Sequence, residues 1–234
     1  MEKSEKIRYR GHLSLCEIDL PGQQAIREAR VLIVGAGGLG SPVALYLAAA
    51  GVKKIGIADA DTVSLSNLQR QIIHSTADIG RLKVDSARDS IKALNPDVEV
   101  ETYAHFITPE NAEAIISGYD IVADCCDNLD SRLLVSDTCV ALGLPYVYAA
   151  VQRWSGHVFT HVKGSAAFRD FFGQPEPMEE LPCALEGILN TVVGVTGSLQ
   201  ATEILKVITG TGDLLTDRIL TFDAITMDFN IFSL

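Results

Sequence analysis

The sequence predicts an α/β fold: a doubly wound, mostly parallel sheet with helices on both faces and antiparallel C-terminal strands. Three observations carry this. Residues 31–51, VLIVGAGGLGSPVALYLAAAG, run from a β-branched stretch through a glycine turn into an apolar helical pattern. Strand and helix signals then alternate up to residue 150, as parallel βαβ units require. After 150 the pattern changes to the apolar–polar alternation of antiparallel strands, as in SGHVFTHV.

The elements follow in order. RVLIVG is the first strand, and the helix after it carries Leu39, Val43, Leu47 and Ala50 at helical spacing, with Gly51 as its stop. KKIGIAD is the second strand and ends at Asp59. Residues 82–94 form a helix expected to turn Val84, Ala87, Ile91 and Leu94 inward. DVEVETY and DIVADC are strands with a helix near 109–117 between them. A helix after Asn128 and the strand PYVYAA complete the first half. The Pro- and acid-rich FFGQPEPMEELP reads as a loop. A late helix then places Ala201, Ile204, Leu205 and Ile208 on one face, before two strands near 217–223 and 226–232. The chain reads as one domain: an N-terminal helical arm over 1–30, a nucleotide-binding half over 31–150 and a C-terminal half over 151–234.

Composition narrows the function. With 30 acidic against 19 basic residues and a net charge of -11, the chain lacks the basic surface that nucleic-acid binding needs. MEKSEKIRYR has no signal-peptide core, and no apolar run is long enough to span a membrane. Five cysteines, an odd number without a C-x-x-C pair, fit a reduced compartment. A soluble, cytoplasmic protein is expected.

The glycine turn has the Rossmann-like, dinucleotide-binding form. Gly35 permits the tight turn, Gly37 lets backbone approach phosphate, and Gly40 lets helix and strand pack closely. The helix N-terminus then offers N–H groups to an anion. Asp59, ending the second strand, would accept hydrogen bonds from a ribose. Both NAD and ATP carry that ribose, so these residues do not choose between them.

The next segment, DADTVSLSNLQRQ, favours ATP. Arg70 can fork onto phosphate oxygens, with Asn67 and Gln71 as neutral donors. Leu65, Leu68, Ile72 and Ile73 interleave with them and are expected to anchor the loop. Lys83 sits in the first turn of a helix, where a cation opposes the helix dipole, so a triphosphate explains it better than helix stability does. In DIVADCCDN, Asp127 lies beyond a strand's carboxyl end, where α/β ligands bind. It is a candidate Mg²⁺ ligand, with capping of the following helix by Asp127 or Asn128 as the plain alternative.

At these residues the sequence resembles the MoeB/ThiF/HesA family, relatives of the ubiquitin-activating enzymes. VGAGGLGS, DADTVSLSNLQRQ, NLDSR and VVGVTGSLQATEILKVITG carry the resemblance, which runs from about residue 7 to the C-terminus. It implies an E1-like, ATP-dependent adenylyltransferase. Such an enzyme activates the C-terminal Gly-Gly carboxylate of a ubiquitin-like sulfur carrier as an acyl-adenylate, for thiamine, molybdopterin or a related sulfur pathway. The resemblance further implies that Asp59 holds ribose, Arg70 and Lys83 stabilise phosphates, and Asp127 supports Mg²⁺. Asn67 and Gln71 then orient the nucleotide, and Gly38 belongs to the backbone cradle. It also implies a homodimer, with the C-terminal half serving carrier binding and dimerisation.

The chain departs from the family at several points. The family's first zinc-binding C-x-x-C reads AFRDFFG here and the second is not reached, so no zinc is expected. Phe168, Phe171 and Phe172 are expected to pack in its stead. The family's N-terminal RYxRQ, whose arginine enters the partner's ATP site, reads RYRGH, leaving Arg10 as the substitute, with His12 beside it a packed or surface residue. Cys126 replaces a common threonine and is expected to pack against the turn. Cys183 matches a position where some relatives bond covalently to the carrier. Nearby Glu179, Glu180 and Glu186 would raise its pKa, and a structural thiol is the alternative. With no sulfurtransferase segment in the sequence, a separate sulfur donor is expected. Two other readings stand beside the enzyme: an impaired E1-like adaptor binding ATP and a partner, and an NAD-dependent oxidoreductase.

Overall fold

The computed structural model describes residues 1–173 and 187–234. Three short helices open the chain: α1 (Lys3–Arg8), α2 (Arg10–Leu13) and α3 (Asp19–Glu28). Then come β1 (Arg30–Val34), α4 (Gly40–Ala50), β2 (Lys54–Ala58), α5 (Lys83–Leu94) and β3 (Glu99–Tyr103). They are followed by α6 (Ala112–Ile116), β4 (Ile121–Asp124), α7 (Leu129–Leu142), β5 (Tyr146–Gln152) and β6 (Ser155–His161). The described elements end with α8 (Phe168–Phe172), α9 (Asn190–Thr209), β7 (Arg218–Asp223) and β8 (Asp228–Ser233).

The strands form one sheet in the order β3-β2-β1-β4-β5-β6-β7-β8. The first five in that order pair in parallel, and β6, β7 and β8 add on antiparallel. Chain order reverses between β1 and β4, which opens a crevice at their carboxyl ends.

Side-chain alternation explains the two layers. Val31 and Ile33 of β1 join Ile55, Ile57, Ala123 and Val147 against α4, α5 and α9. Leu32 and Val34 turn to the other face, where Val122 and Tyr148 meet α6, α7 and α8. A strand covered on both sides must be apolar where it is covered, as Val31 to Val34 of β1 are. Gly51 closes α4 in the left-handed conformation, as expected.

Two expectations about packing are corrected. Leu94 is 41% exposed, because it ends α5 past the sheet while Val84, Ala87 and Ile91 are buried. Leu65 and Ile72 are also exposed, at 71% and 60%, so of the expected apolar anchors only Ile73 is fully buried. Polar contacts order that loop instead. Asn67 Oδ1 accepts the Ser64 N–H at 3.0 Å, and Asp78 accepts Ser75 N–H at 2.8 Å and Arg81 Nη1 at 2.6 Å.

Phe168, Phe171 and Phe172 do pack together. Phe159 meets Phe171 with ring centroids 4.6 Å apart, Phe168 meets Phe172 at 4.6 Å, and Tyr148 meets Phe168 at 5.5 Å. A bidentate Arg169–Asp137 pair at 2.9 and 2.7 Å ties α8 to α7. Among the described residues, no helix is long and apolar enough to cross a membrane.

Gly56 of β2 faces Tyr119, whose Oη would lie 2.2 Å from an added Cβ. Tyr119 is buried and bonded to Tyr103 and Glu101, so it cannot retreat cheaply. Gly56→Ala is expected to lower stability by about 1–3 kcal/mol through overpacking, read from urea unfolding midpoints.

Candidate active site

A hollow opens at the β1–β4 crevice, lined by Gly35, Gly37 and Gly38, Asp59, Asp61, Arg70, Gln71, Lys83, Asp127 and Arg132. Its lining also includes the apolar Val34, Ala58, Phe106, Ile107, Val151, Ile188 and Val193. Of the residues expected to act on a nucleotide, Asp59, Arg70, Gln71, Lys83 and Asp127 are thus brought to one place.

The glycine turn is built for close approach. Gly35 has φ +102°, and a Cβ there would stand 2.6 Å from the Cys125 carbonyl oxygen. A Cβ at Gly40 would lie 2.0 Å from the Gly35 carbonyl, so this residue packs helix on turn and does not line the hollow. The start of α4 offers an anion less than the sequence suggests: the Ser41 N–H is bonded to the Gly37 carbonyl at 3.0 Å, Pro42 has no N–H, and the Val43 N–H reaches the Leu39 carbonyl at 3.4 Å.

Asp59 follows β2 directly and is buried. Its Oδ2 accepts the Ala36 N–H at 2.8 Å and its Oδ1 accepts the Asp61 N–H at 2.8 Å. Burial raises its pKa, opposed by Lys83 and by those two N–H groups. Each carboxylate oxygen keeps lone-pair capacity for a further donor such as a ribose hydroxyl.

Lys83, the first residue of α5, is 6% exposed. Its Nζ stands 2.7 Å from Asp61 Oδ2 and 3.9 Å from Asp59 Oδ2. The two acids give this cation local partners, which the helix dipole argument did not foresee. Arg70 Nη1 donates to the Ser66 carbonyl at 3.3 Å, and the side chain remains half-buried on the wall. Gln71 is buried, and its Oε1 has no donor among the described residues. A buried carbonyl without a donor costs about 1–3 kcal/mol.

Asn128, not Asp127, caps α7, accepting the Ser131 N–H at 2.9 Å. Asp127 is exposed and forms no ion pair among the described residues. Asn67 is not on the wall: its amide oxygen is spent on Ser64. Arg10 lies on α2 and is exposed. Neighbouring Tyr9 packs on Gly51 at the far end of α4, about 16 Å along the helix from the turn. Its own hollow is therefore out of reach. His12 Nδ1 bonds Gln23 Oε1 at 2.8 Å, a packing role. Cys183 lies outside the described residues, as do Glu179, Glu180 and Glu186.

Several wall residues were not singled out from sequence. Arg132 is the main one: Nη1 donates to the Ala149 carbonyl at 2.9 Å and Nη2 to the Cys126 carbonyl. The guanidinium sits 4.9 Å from the Tyr148 ring centroid. Burial works most strongly against its charge, but Asp124, 3.9 Å away, together with Tyr148, Cys126 and Cys125 raises its pKa overall. The signal was available, since Arg132 stands four residues after the capping Asn128 and so shares its face. Cys125 and Cys126 are buried, and burial pushes both thiols well above their ordinary range. They are packing groups, as expected for Cys126.

A glycine turn, the buried acid that follows β2 and the cations Arg70, Lys83 and Arg132 thus line one hollow of a doubly wound α/β fold. The ThiF family matches residues 9–234, and the chain belongs to that family. It is 41% identical over 98% of its length to the probable adenylyltransferase/sulfurtransferase MoeZ of Mycobacterium tuberculosis, covering 60% of that protein. It is 44% identical over 96% of its length to the adenylyltransferase and sulfurtransferase MOCS3 of Sus scrofa, covering 50%. The chain thus spans half to three-fifths of these relatives. The fold is shared with PaaA (TM-score 0.85, 21% identity, 100% of this chain and 74% of that one). It is also shared with E. coli MccB in its structure with ATP (TM-score 0.82, 19% identity, 95% and 73%).

The loop that carries Arg70 toward Lys83 yields a pH prediction. Hydrogen bonds from Ser75, with Arg81 beside them, hold the Asp78 carboxyl at about 2, against an ordinary 3.8. A depressed acid stabilises the fold above its unfolded value and loses that contribution as pH falls toward its folded one. Asp78→Asn is expected to be less stable at neutral pH and to show a flatter loss of stability between about pH 4 and 2 than the parent. Urea titrations across pH read both.

Proposed function

We propose that this chain is an ATP-dependent adenylyltransferase that activates the C-terminal Gly-Gly carboxylate of a ubiquitin-like sulfur carrier. The convergence of Asp59, Arg70, Gln71 and Lys83 on one hollow over the glycine turn carries this reading. The relatives' names, adenylyltransferase and sulfurtransferase, support it.

Each side chain has a task the chemistry needs. Asp59 takes the ribose hydroxyls, and Gln71, on the lining of the hollow, helps to orient the nucleotide. The phosphates lie over the turn, between Arg70 and Lys83. The apolar lining at Val34, Ala58, Phe106 and Ile107 receives the adenine. The carrier's carboxylate oxygen attacks the α-phosphorus, the bond to the bridging oxygen breaks, and pyrophosphate leaves with that electron pair. No proton moves, so cations and in-line placement suffice.

The donors present fit Mg²⁺ shared with phosphate oxygens: Asp127 offers one hard oxygen, and the described residues contain no cluster of three or more ligating side chains. Bound there, the ion would neutralise charge on the leaving pyrophosphate. Because Arg10 cannot reach its own hollow, its proposed role is in the hollow of a second copy, within a homodimer. A separate donor would supply the sulfur.

The direct test is pyrophosphate exchange with ATP, Mg²⁺ and a Gly-Gly-ended carrier. Exchange dependent on the carrier is expected, and Arg70→Ala, at a half-buried side chain, should reduce it about 10²–10³-fold while the fold is kept. ATP binding without exchange would support the adaptor instead, and NAD binding tighter than ATP would support an oxidoreductase.

A further inference from the structure

The phosphate-binding turn and the helix that begins with Lys83 are joined by a buried histidine that the mechanism above does not use. His74 is 7% exposed and both of its ring nitrogens are bonded. Nε2 lies 3.0 Å from the Ala36 carbonyl oxygen and Nδ1 lies 2.8 Å from Ser86 Oγ. A carbonyl can only accept, so Nε2 carries the hydrogen, and in the neutral ring Nδ1 accepts from the Ser86 hydroxyl.

Ala36 is the residue at issue. Its N–H is held by Asp59, and its carbonyl is held by His74. Its peptide groups are thereby fixed from two directions, on the residue between Gly35 and Gly37. Ser86, the other end of the bridge, lies on α5 one turn after Lys83. The imidazole therefore sets the distance between the turn that faces the phosphates and the ammonium expected to neutralise them. The charged groups around it are Asp59 beyond β2, Asp78 in its own loop and Lys83 on α5.

Resting on the nucleotide reading above, we infer that His74 is the positioning residue of the phosphate cradle. It acts by holding Ala36 and Ser86 in register through one neutral tautomer, and it does not touch the substrate. Burial favours that neutral form, lowering the ring's pKa.

The test is calorimetric titration of the whole chain with Mg·ATP, paired with pyrophosphate exchange. His74→Ala leaves the Ala36 carbonyl without its donor and should weaken ATP binding about tenfold, the equivalent of one unpaired buried carbonyl. KM for ATP should rise with it, while KM for the carrier stays unchanged. His74→Gln, whose amide N–H₂ can replace the Nε2–H donor, should restore affinity to within about threefold of the parent. Ser86→Ala, which removes the hydroxyl that fixes the tautomer, should weaken ATP by a few-fold, about threefold. Should His74→Ala fail to fold, the Gln and Ser86 variants carry the test. Affinity within twofold of the parent in His74→Ala overturns the inference, as does a His74→Gln as weak as His74→Ala. If His74→Ala does not fold, parental affinity in Ser86→Ala overturns it. If the parent itself does not bind ATP, the nucleotide reading fails first, and the inference falls with it.

Discussion

The contact between the Asp59 carboxylate and the Ala36 N–H supports the site. It ties the end of β2 to the turn after β1, two strands that lie side by side in the sheet. A buried charge is costly unless hydrogen-bonded and paired. Here two backbone N–H groups and the nearby Lys83 supply that compensation. The same acid that shapes the turn is the one proposed to take the ribose, and each of its oxygens keeps a second lone pair to offer.

The hollow combines Arg70, Lys83 and the acids that hold the lysine in place with apolar Phe106, Ile107, Val151 and Val193. A nucleotide is mixed in the same way, with an apolar base and a polyanion. The remaining titratable groups nearby are kept out of chemistry. Burial holds the Cys125 and Cys126 thiols protonated and His74 neutral. A reaction that transfers no proton and needs charge neutralised suits such a site better than hydride or acyl-base chemistry.

Much of this was legible in the sequence because it is local. The strand-turn-helix at 31–51 announces β1, the turn and α4. Asp59 follows from where β2 stops, and Arg70 and Lys83 stand out as cations just beyond it, although Lys83 also has local partners in Asp61 and Asp59. What was not legible depends on tertiary neighbours. Asn67 reads as a nucleotide contact, yet its amide oxygen closes a local turn on Ser64. Leu65 and Ile72 read as loop anchors, yet they face solvent while polar bonds order the loop. Arg132 and His74 gain their meaning from carbonyls on segments distant in sequence, Ala149 and Ala36. No periodicity or spacing encodes such a partner.

A structure of the chain with Mg²⁺ and a hydrolysis-resistant α,β-methylene analogue of ATP would test the account most directly. The account predicts the ribose on Asp59 and the phosphates over Gly37 and Gly38. Arg70 and Lys83 should lie within hydrogen-bonding distance of phosphate oxygens. A nucleotide bound outside this hollow, or one bound in it with its phosphates turned away from both cations, would contradict it.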